Sequence, residues 1–120
     1  MSSLSTHVLD SVTGRPAEDM EVTLETLTEV DAGVNVIGST AWLTVGRGRT
    51  DPDGRNKEWD GGLTGPGSYR LTFHTGTWFA ERNRECFYPE VTITFAVTDE
   101  GHYHVPLLLA PYAYSTYRGS

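Results

Sequence analysis

Apolar and polar side chains alternate one by one along most of this chain, and a period of two commits a segment to a strand with one face buried. Met20, Val22 and Leu24 alternate with Glu21, Thr23 and Glu25. Tyr69, Leu71 and Phe73 alternate with Arg70 and Thr72, and Val91, Ile93, Phe95 and Val97 with Thr92, Thr94 and Ala96. Turn signals separate these runs: TGRP at Thr13 to Pro16, DAGVN at Asp31 to Asn35, DPDG at Asp51 to Gly54, GGLTGPG at Gly61 to Gly67 and DEG at Asp99 to Gly101. The spacing predicts about seven or eight strands in a mainly β, antiparallel sandwich. One stretch breaks the pattern. TWFAERN, Thr77 to Asn83, follows a Thr and a Gly suited to capping, lacks alternation and sets Trp78 within reach of Arg82, which predicts a single short helix. Pro106 has no amide hydrogen, so its strand is expected at a sheet edge or a bulge, and Glu29 to Ser39 reads as a longer hairpin end.

The 120 residues suit one domain, 1–120, with one core. No apolar run approaches the roughly 20 residues of a spanning helix, so a membrane partner is not expected. The formal net charge of −7, from 9 Lys and Arg against 16 Asp and Glu, opposes binding to a phosphate backbone, so nucleic acid is not expected either. A small polar or anionic ligand remains compatible, because one or two arginines inside a pocket override a mildly acidic surface. MSSLSTHVLD lacks the composition of an export signal. The lone Cys86 beside Phe87 reads as a packing residue in a reducing compartment, so the cytoplasm is the expected location.

Chemistry concentrates in three places. LSTHVLD, Leu4 to Asp10, carries His7 mid-strand; HYHVPLLL, His102 to Leu109, carries His102 and His104 two apart and therefore on one face. The sequence closes on Tyr117, Arg118, Gly119 and Ser120, an aromatic, a cation, a turn residue and a hydroxyl expected to wall a site. His-x-His spacing suits zinc, with His7 as a third ligand. It equally suits surface histidines, or an unmetallated acid–base pair, since imidazole titrates near pH 6.5. TDPDGR, Thr50 to Arg55, is a turn that delivers Arg55; His74 and Arg15 read as ordinary surface residues. No GxSxG elbow accompanies the serines, which leaves serine-hydrolase chemistry without support.

Taken together, LSTHVLD, GRPA at Gly14 to Ala17, TDPDGR, CFYPEV at Cys86 to Val91, HYHVPLLL and the closing PYAYSTYRGS resemble the 5-hydroxyisourate hydrolases, purine-degrading enzymes of transthyretin fold. The resemblance spans nearly the whole chain, and departs in Thr28 to Arg49 and in Asn56 to Gly67. It implies a sandwich of two four-stranded antiparallel sheets with one short helix. It further implies a homotetramer with its sites at the interface between dimers, and no cofactor or metal. By the same resemblance the catalytic residues fall on His7, Arg55 and His104, and the substrate contacts on His7, Arg55, Tyr117, Arg118, Gly119 and Ser120. The implied reaction is hydrolysis of 5-hydroxyisourate to 2-oxo-4-hydroxy-4-carboxy-5-ureidoimidazoline. One histidine takes a proton from water, the other orients water or protonates the departing nitrogen, and Arg55 stabilises the oxyanion. Tyr117 and Ser120 hold the substrate, and Arg118 pairs with an acid across the interface. The competing readings are a non-catalytic transthyretin-like carrier of a small aromatic ligand, a zinc hydrolase built on His7, His102 and His104, and a structural sandwich without ligand.

Overall fold

The structure is a computed structural model that describes residues 2–29 and 39–120. The predicted turn at Asp31 to Asn35, and most of the Glu29 to Ser39 hairpin end, lie outside the described residues. The strands are β1 (Ser3–Asp10), β2 (Arg15–Pro16), β3 (Glu21–Glu29), β4 (Thr40–Arg49), β5 (Arg55–Asn56), β6 (Asp60–Gly61), β7 (Gly67–Phe73), β8 (Val91–Val97), β9 (His102–Ala110) and β10 (Ala113–Thr116). One helix, α1 (Thr75–Ala80), follows β7.

Two sheets result. The first runs β10-β9-β1-β2 with β5 also on β1; the second runs β6-β4-β3-β7-β8. Among the described residues each therefore has five members where four were expected; without the two-residue pieces β2, β5 and β6 the first sheet has three longer strands and the second has four. The inward alternation is as read from the sequence: Met20, Val22, Leu24, Tyr69, Leu71 and Phe73 are buried and join Leu4, Val8, Tyr103, Val105, Leu107 and Leu109 of the other sheet in one core cluster. Cys86 packs on the margin of this cluster and donates its thiol hydrogen to the Tyr88 carbonyl.

One pairing departs from the antiparallel expectation. β1 and β9 run parallel, with Ser3 opposite His102, Ser5 opposite His104 and His7 opposite Pro106. Hairpins enforce antiparallel pairing only between strands joined by short turns, and nearly the whole chain separates these two. Pro106 accordingly sits inside a three-strand stretch, not on an edge strand. The Val8 amide donates to the Gly54 carbonyl and the Val8 carbonyl accepts from Ala17, so its neighbour His7 turns its amide and carbonyl toward β9. Pro106, opposite His7, then directs its nitrogen away from β1, to the side where β10 has ended with the pair Leu107 and Thr116. No donor is required there. The Pro106 carbonyl on that side accepts the Thr116 hydroxyl at 2.7 Å.

The helix begins two residues earlier than the sequence suggested, at Thr75, and ends at Ala80, with turns to Asn83. Thr75 and Gly76 are not its caps but its first turn: the Thr75 hydroxyl donates to the Tyr88 carbonyl at 2.6 Å and the Gly76 amide to the Pro89 carbonyl at 2.8 Å. Trp78 and Phe79 are buried beneath it, and the Arg82 guanidinium lies 4.1 Å from the Trp78 ring centroid, the pairing foreseen from their spacing.

Candidate active site

Alternation decides which groups face outward on the first sheet. Leu4, Thr6 and Val8 point into the core, so Ser3, Ser5 and His7 share the outer face of β1; Tyr103 and Val105 point inward, so His102 and His104 share that face of β9. Parallel register then sets Ser3 beside His102 and Ser5 beside His104. The Ser5 hydroxyl bridges His102 Nε2 and His104 Nδ1 at 2.8 Å each, and the Ser3 hydroxyl lies 2.7 Å from His102 Nδ1. The two imidazoles stack nearly parallel, 6.4 Å between centroids.

Arg55 arrives from the other side of β1. In the TDPDGR turn the Asp51 carboxylate accepts the amides of Asp53 and Arg55, both at 2.9 Å, while the Gly54 amide donates to the Asp51 carbonyl. Gly54 adopts φ +76°, and a Cβ there would stand 2.4 Å from the Val8 carbonyl oxygen, so only glycine lets the turn close on β1. The turn delivers Arg55 directly opposite His7 in the β1–β5 pair, and His7 Nε2–H donates to the Asp53 carbonyl at 2.9 Å. Trp59 fixes the following stretch by donating its indole hydrogen to the Leu4 carbonyl at 2.9 Å.

The chain end comes in along β9. After Thr116 two residues loop outward, and Gly119 returns to pair with His104, its amide donating to the His104 carbonyl at 2.9 Å. Ser120 then joins Ser3, Leu4, Ser5, Thr6, Arg55, Lys57, His102 and His104 around a cleft of about 350 Å³. Tyr117 and Arg118 line a neighbouring cleft of about 310 Å³ with Ile93, Phe95 and Tyr103, and His104 belongs to both. The Arg118 guanidinium lies 5.1 Å from the Tyr103 ring of its own chain.

Of the residues singled out from sequence, the structure thus gathers Arg55, His104 and Ser120 on one cleft, sets His7 on the same face next to Arg55, and places Tyr117 and Arg118 around a corner of the His104 ring. Lys57, Ser3 and Ser5 escaped the sequence reading. A Ser-x-Ser-x-His alternation, which sets three polar groups on one strand face, was the available signal. Burial, aided by the positive charge of Arg55 and by His102 and His7, holds the His104 imidazole below its ordinary value of 6.5. His104 is therefore a neutral base at pH 7, standing beside a permanent cation. Among the described residues no cluster of three or more His, Cys, Asp or Glu side chains could hold a metal ion.

Fold and cleft define a β-sandwich protein whose outer sheet face carries an imidazole base, a guanidinium and polar walls suited to a small polar substrate. The sequence profile of the HIUase/Transthyretin family matches residues 4–119, and the chain belongs to that family. A 5-hydroxyisourate hydrolase of Salmonella dublin is 44% identical over 119 residues, covering 98% of this chain and 80% of the relative. The solved 5-hydroxyisourate hydrolase of Klebsiella pneumoniae superposes with a TM-score of 0.80 at 38% identity, over 100% of both chains. Sea bream transthyretin, solved with thyroxine, superposes almost as well, TM-score 0.79, but at 26% identity over 98% of this chain and 94% of that one. The backbone alone does not separate enzyme from carrier.

Proposed function

We propose that this chain hydrolyses 5-hydroxyisourate to 2-oxo-4-hydroxy-4-carboxy-5-ureidoimidazoline, with His104 as general base. The observation that carries the reading is the convergence of a neutral imidazole, His104, and a guanidinium, Arg55, on one cleft of a chain 44% identical to a hydrolase of that substrate. His104 Nδ1 is engaged by Ser5, which leaves Nε2 to take a proton from water as the water oxygen attacks a ring amide carbonyl. The new C–O bond forms, charge develops on the carbonyl oxygen, and Arg55 stabilises it, an effect worth roughly 3 kcal/mol when the donor is preorganised. Collapse of the adduct breaks the C–N bond, and the departing nitrogen takes the proton that His104 accepted. His7 does not line the cleft and its Nε2–H donates to the Asp53 carbonyl beside Arg55, so it orients rather than abstracts. Ser120 and Lys57 hold the polar rim of the substrate, and Tyr117, Arg118 and Gly119 shape the wall behind His104.

The cleft opens on the outer face of a sheet, where Ser3, His102 and Ser120 are exposed. A water-poor site therefore needs a second surface laid against it, and this supports a homotetramer with sites between dimers. The chain acts as a single domain in the cytoplasm; among the described residues no helix is long and apolar enough to cross a membrane.

The test generates the unstable substrate in place with a urate oxidase and follows decay of its absorbance. Acceleration by the protein, undiminished by a chelator, is the expected result. Decay at the uncatalysed rate, with saturable binding of an aromatic ligand, would establish the carrier instead, and loss on chelation would establish the zinc reading.

A further inference from the structure

The Ser5 contact to His104 does not end there but continues away from the ring as one hydrogen-bonded chain: Ser3 Oγ to His102 Nδ1, His102 Nε2 to Ser5 Oγ, Ser5 Oγ to His104 Nδ1. Each hydroxyl has one hydrogen, and each neutral imidazole has one N–H and one bare nitrogen. The chain can therefore be satisfied in only two ways, with all donors pointing toward the cleft or all pointing away. If they point toward it, Ser5 donates to His104 Nδ1 and His104 carries its hydrogen on Nε2, where it cannot act as a base. If they point away, His104 Nδ1–H donates to Ser5, Ser5 donates to His102 Nε2, His102 Nδ1–H donates to Ser3, and His104 Nε2 is bare.

We propose that Ser5 and His102 are positioning residues that hold His104 in the tautomer with a bare Nε2, through the hydrogen-bonded chain Ser3–His102–Ser5–His104. Two features select this polarity. Arg55 presents a positive charge to His104, and a bare nitrogen is stabilised facing a cation whereas an N–H is not. At the far end Ser3 itself lines the cleft, so the hydrogen of its terminal hydroxyl has a cleft water or a polar substrate group as acceptor. Ser5 is 9% exposed, which keeps its hydroxyl from exchanging these partners for bulk water. The arrangement also fixes the ring: Ser5 holds Nδ1 on one side while Gly119 packs against Cδ2 on the other. Ser5 and His102 act on the base through its back nitrogen.

The inference rests on the hydrolase reading for its kinetic arm only. Its direct test is nitrogen-15 NMR of the full-length protein labelled at histidine, which reads the tautomer without substrate. In the wild type the His104 Nε2 resonance is expected at the position of a bare imidazole nitrogen and Nδ1 at that of an N–H. In Ser5→Ala and in His102→Phe the ring reverts toward the Nε2–H form favoured by a free histidine side chain. In parallel, kcat for 5-hydroxyisourate falls at least about tenfold with little change in KM, the pattern of a misoriented base, and Ser5→Thr, which restores a hydroxyl, recovers most of the loss. A wild-type His104 protonated at Nε2, or tautomer and kcat both unmoved in Ser5→Ala, would overturn the proposal. A wild type that shows the expected tautomer but no turnover counts against the hydrolase reading and leaves the positioning chain standing.

Discussion

Gly119 lies so close to His104 that a Cβ at this position would come within 2.3 Å of the ring carbon Cδ2, while its amide donates to the His104 carbonyl at 2.9 Å. The end of the chain is thereby a wall against which the imidazole rests. In Gly119→Ala the ring or the terminal segment must move. Displacement of a reacting group by about 1 Å costs on the order of 10²-fold in rate, whereas the segment is held by a single bridge at Gly119 and the Arg118 contact to the Tyr103 ring, outside the core. Turnover should fall by that order with the thermal midpoint nearly unchanged. Equal loss of both would show that Gly119 is structural.

The His104 imidazole titrates below 6.5 because burial disfavours its charged form, with Arg55, His102 and His7 adding to the effect. The unfolded chain therefore binds this proton more readily than the folded one. The His104 contribution to stability is complete above pH 6.5 and declines as pH falls from 6.5 toward the lowered folded value. With His104 as the proposed base, the acid limb of kcat/KM should fall below pH 6.5. Replacing Arg55 by Gln removes one of these positive charges without emptying the site, so the His104 midpoint followed by NMR should rise. Turnover should fall roughly 10²- to 10³-fold from loss of the oxyanion contact. An unmoved midpoint would mean that Arg55 does not face His104 in solution.

Gly48 on β4 connects the second sheet to the site, because a Cβ there would stand 2.2 Å from Asn56 Nδ2. Asn56 is buried and its Nδ2 makes no hydrogen bond to a described residue. Its neighbour Arg55 pairs with His7 through the same two-residue strand. Gly48→Ala should push Asn56 and β5 outward, costing about 1–3 kcal/mol of stability as overpacking does. It should also lower turnover, although residue 48 is not on the cleft. Denaturant unfolding and the kinetic assay measure the two effects separately; unchanged activity at reduced stability would uncouple β5 from catalysis.

Asp10 and Arg84 test the opposite case, a charged pair with no place in the chemistry. Burial tends to raise the Asp10 carboxyl, but hydrogen bonds from Arg84 at 2.5 Å and from Val12 and Thr13 outweigh it and hold it below its ordinary 3.8. The pair ties the end of β1 to the turn after α1. Arg84→Ala leaves a carboxylate that is only 3% exposed without its cation, and should cost about 3 kcal/mol. Residual folded protein should turn over substrate at the wild-type rate. The stability that Asp10 supplies is present above pH 3.8 and lost as pH falls through its lowered value, so the mutant should lose part of the acid dependence of unfolding.

Much of this architecture was legible one segment at a time. The two-residue period placed Val22, Leu24, Leu71 and Phe73 in the core, and the turn residues of TDPDGR foretold a tight bend that presents Arg55. His-x-His spacing put His102 and His104 on one face. The helix was misplaced by two residues because Thr75 and Gly76 look like caps locally, but their polar groups are claimed by the Tyr88 and Pro89 carbonyls. Pro106 was assigned to an edge or bulge because its missing donor was visible and its neighbour's stopping point was not.

The sequence by itself determined the residue types, the alternation and the turns, since each depends on neighbours a few positions away. Which strands lie side by side was decided only in the tertiary structure. A period of two tells a side chain its face but not its partner, so nothing in Leu4 to Asp10 announces that Ser5 will meet imidazoles 97 and 99 residues further on. Burial of one continuous core brings the first long strand beside the ninth, and the polar groups left on the outer face become a site as a consequence.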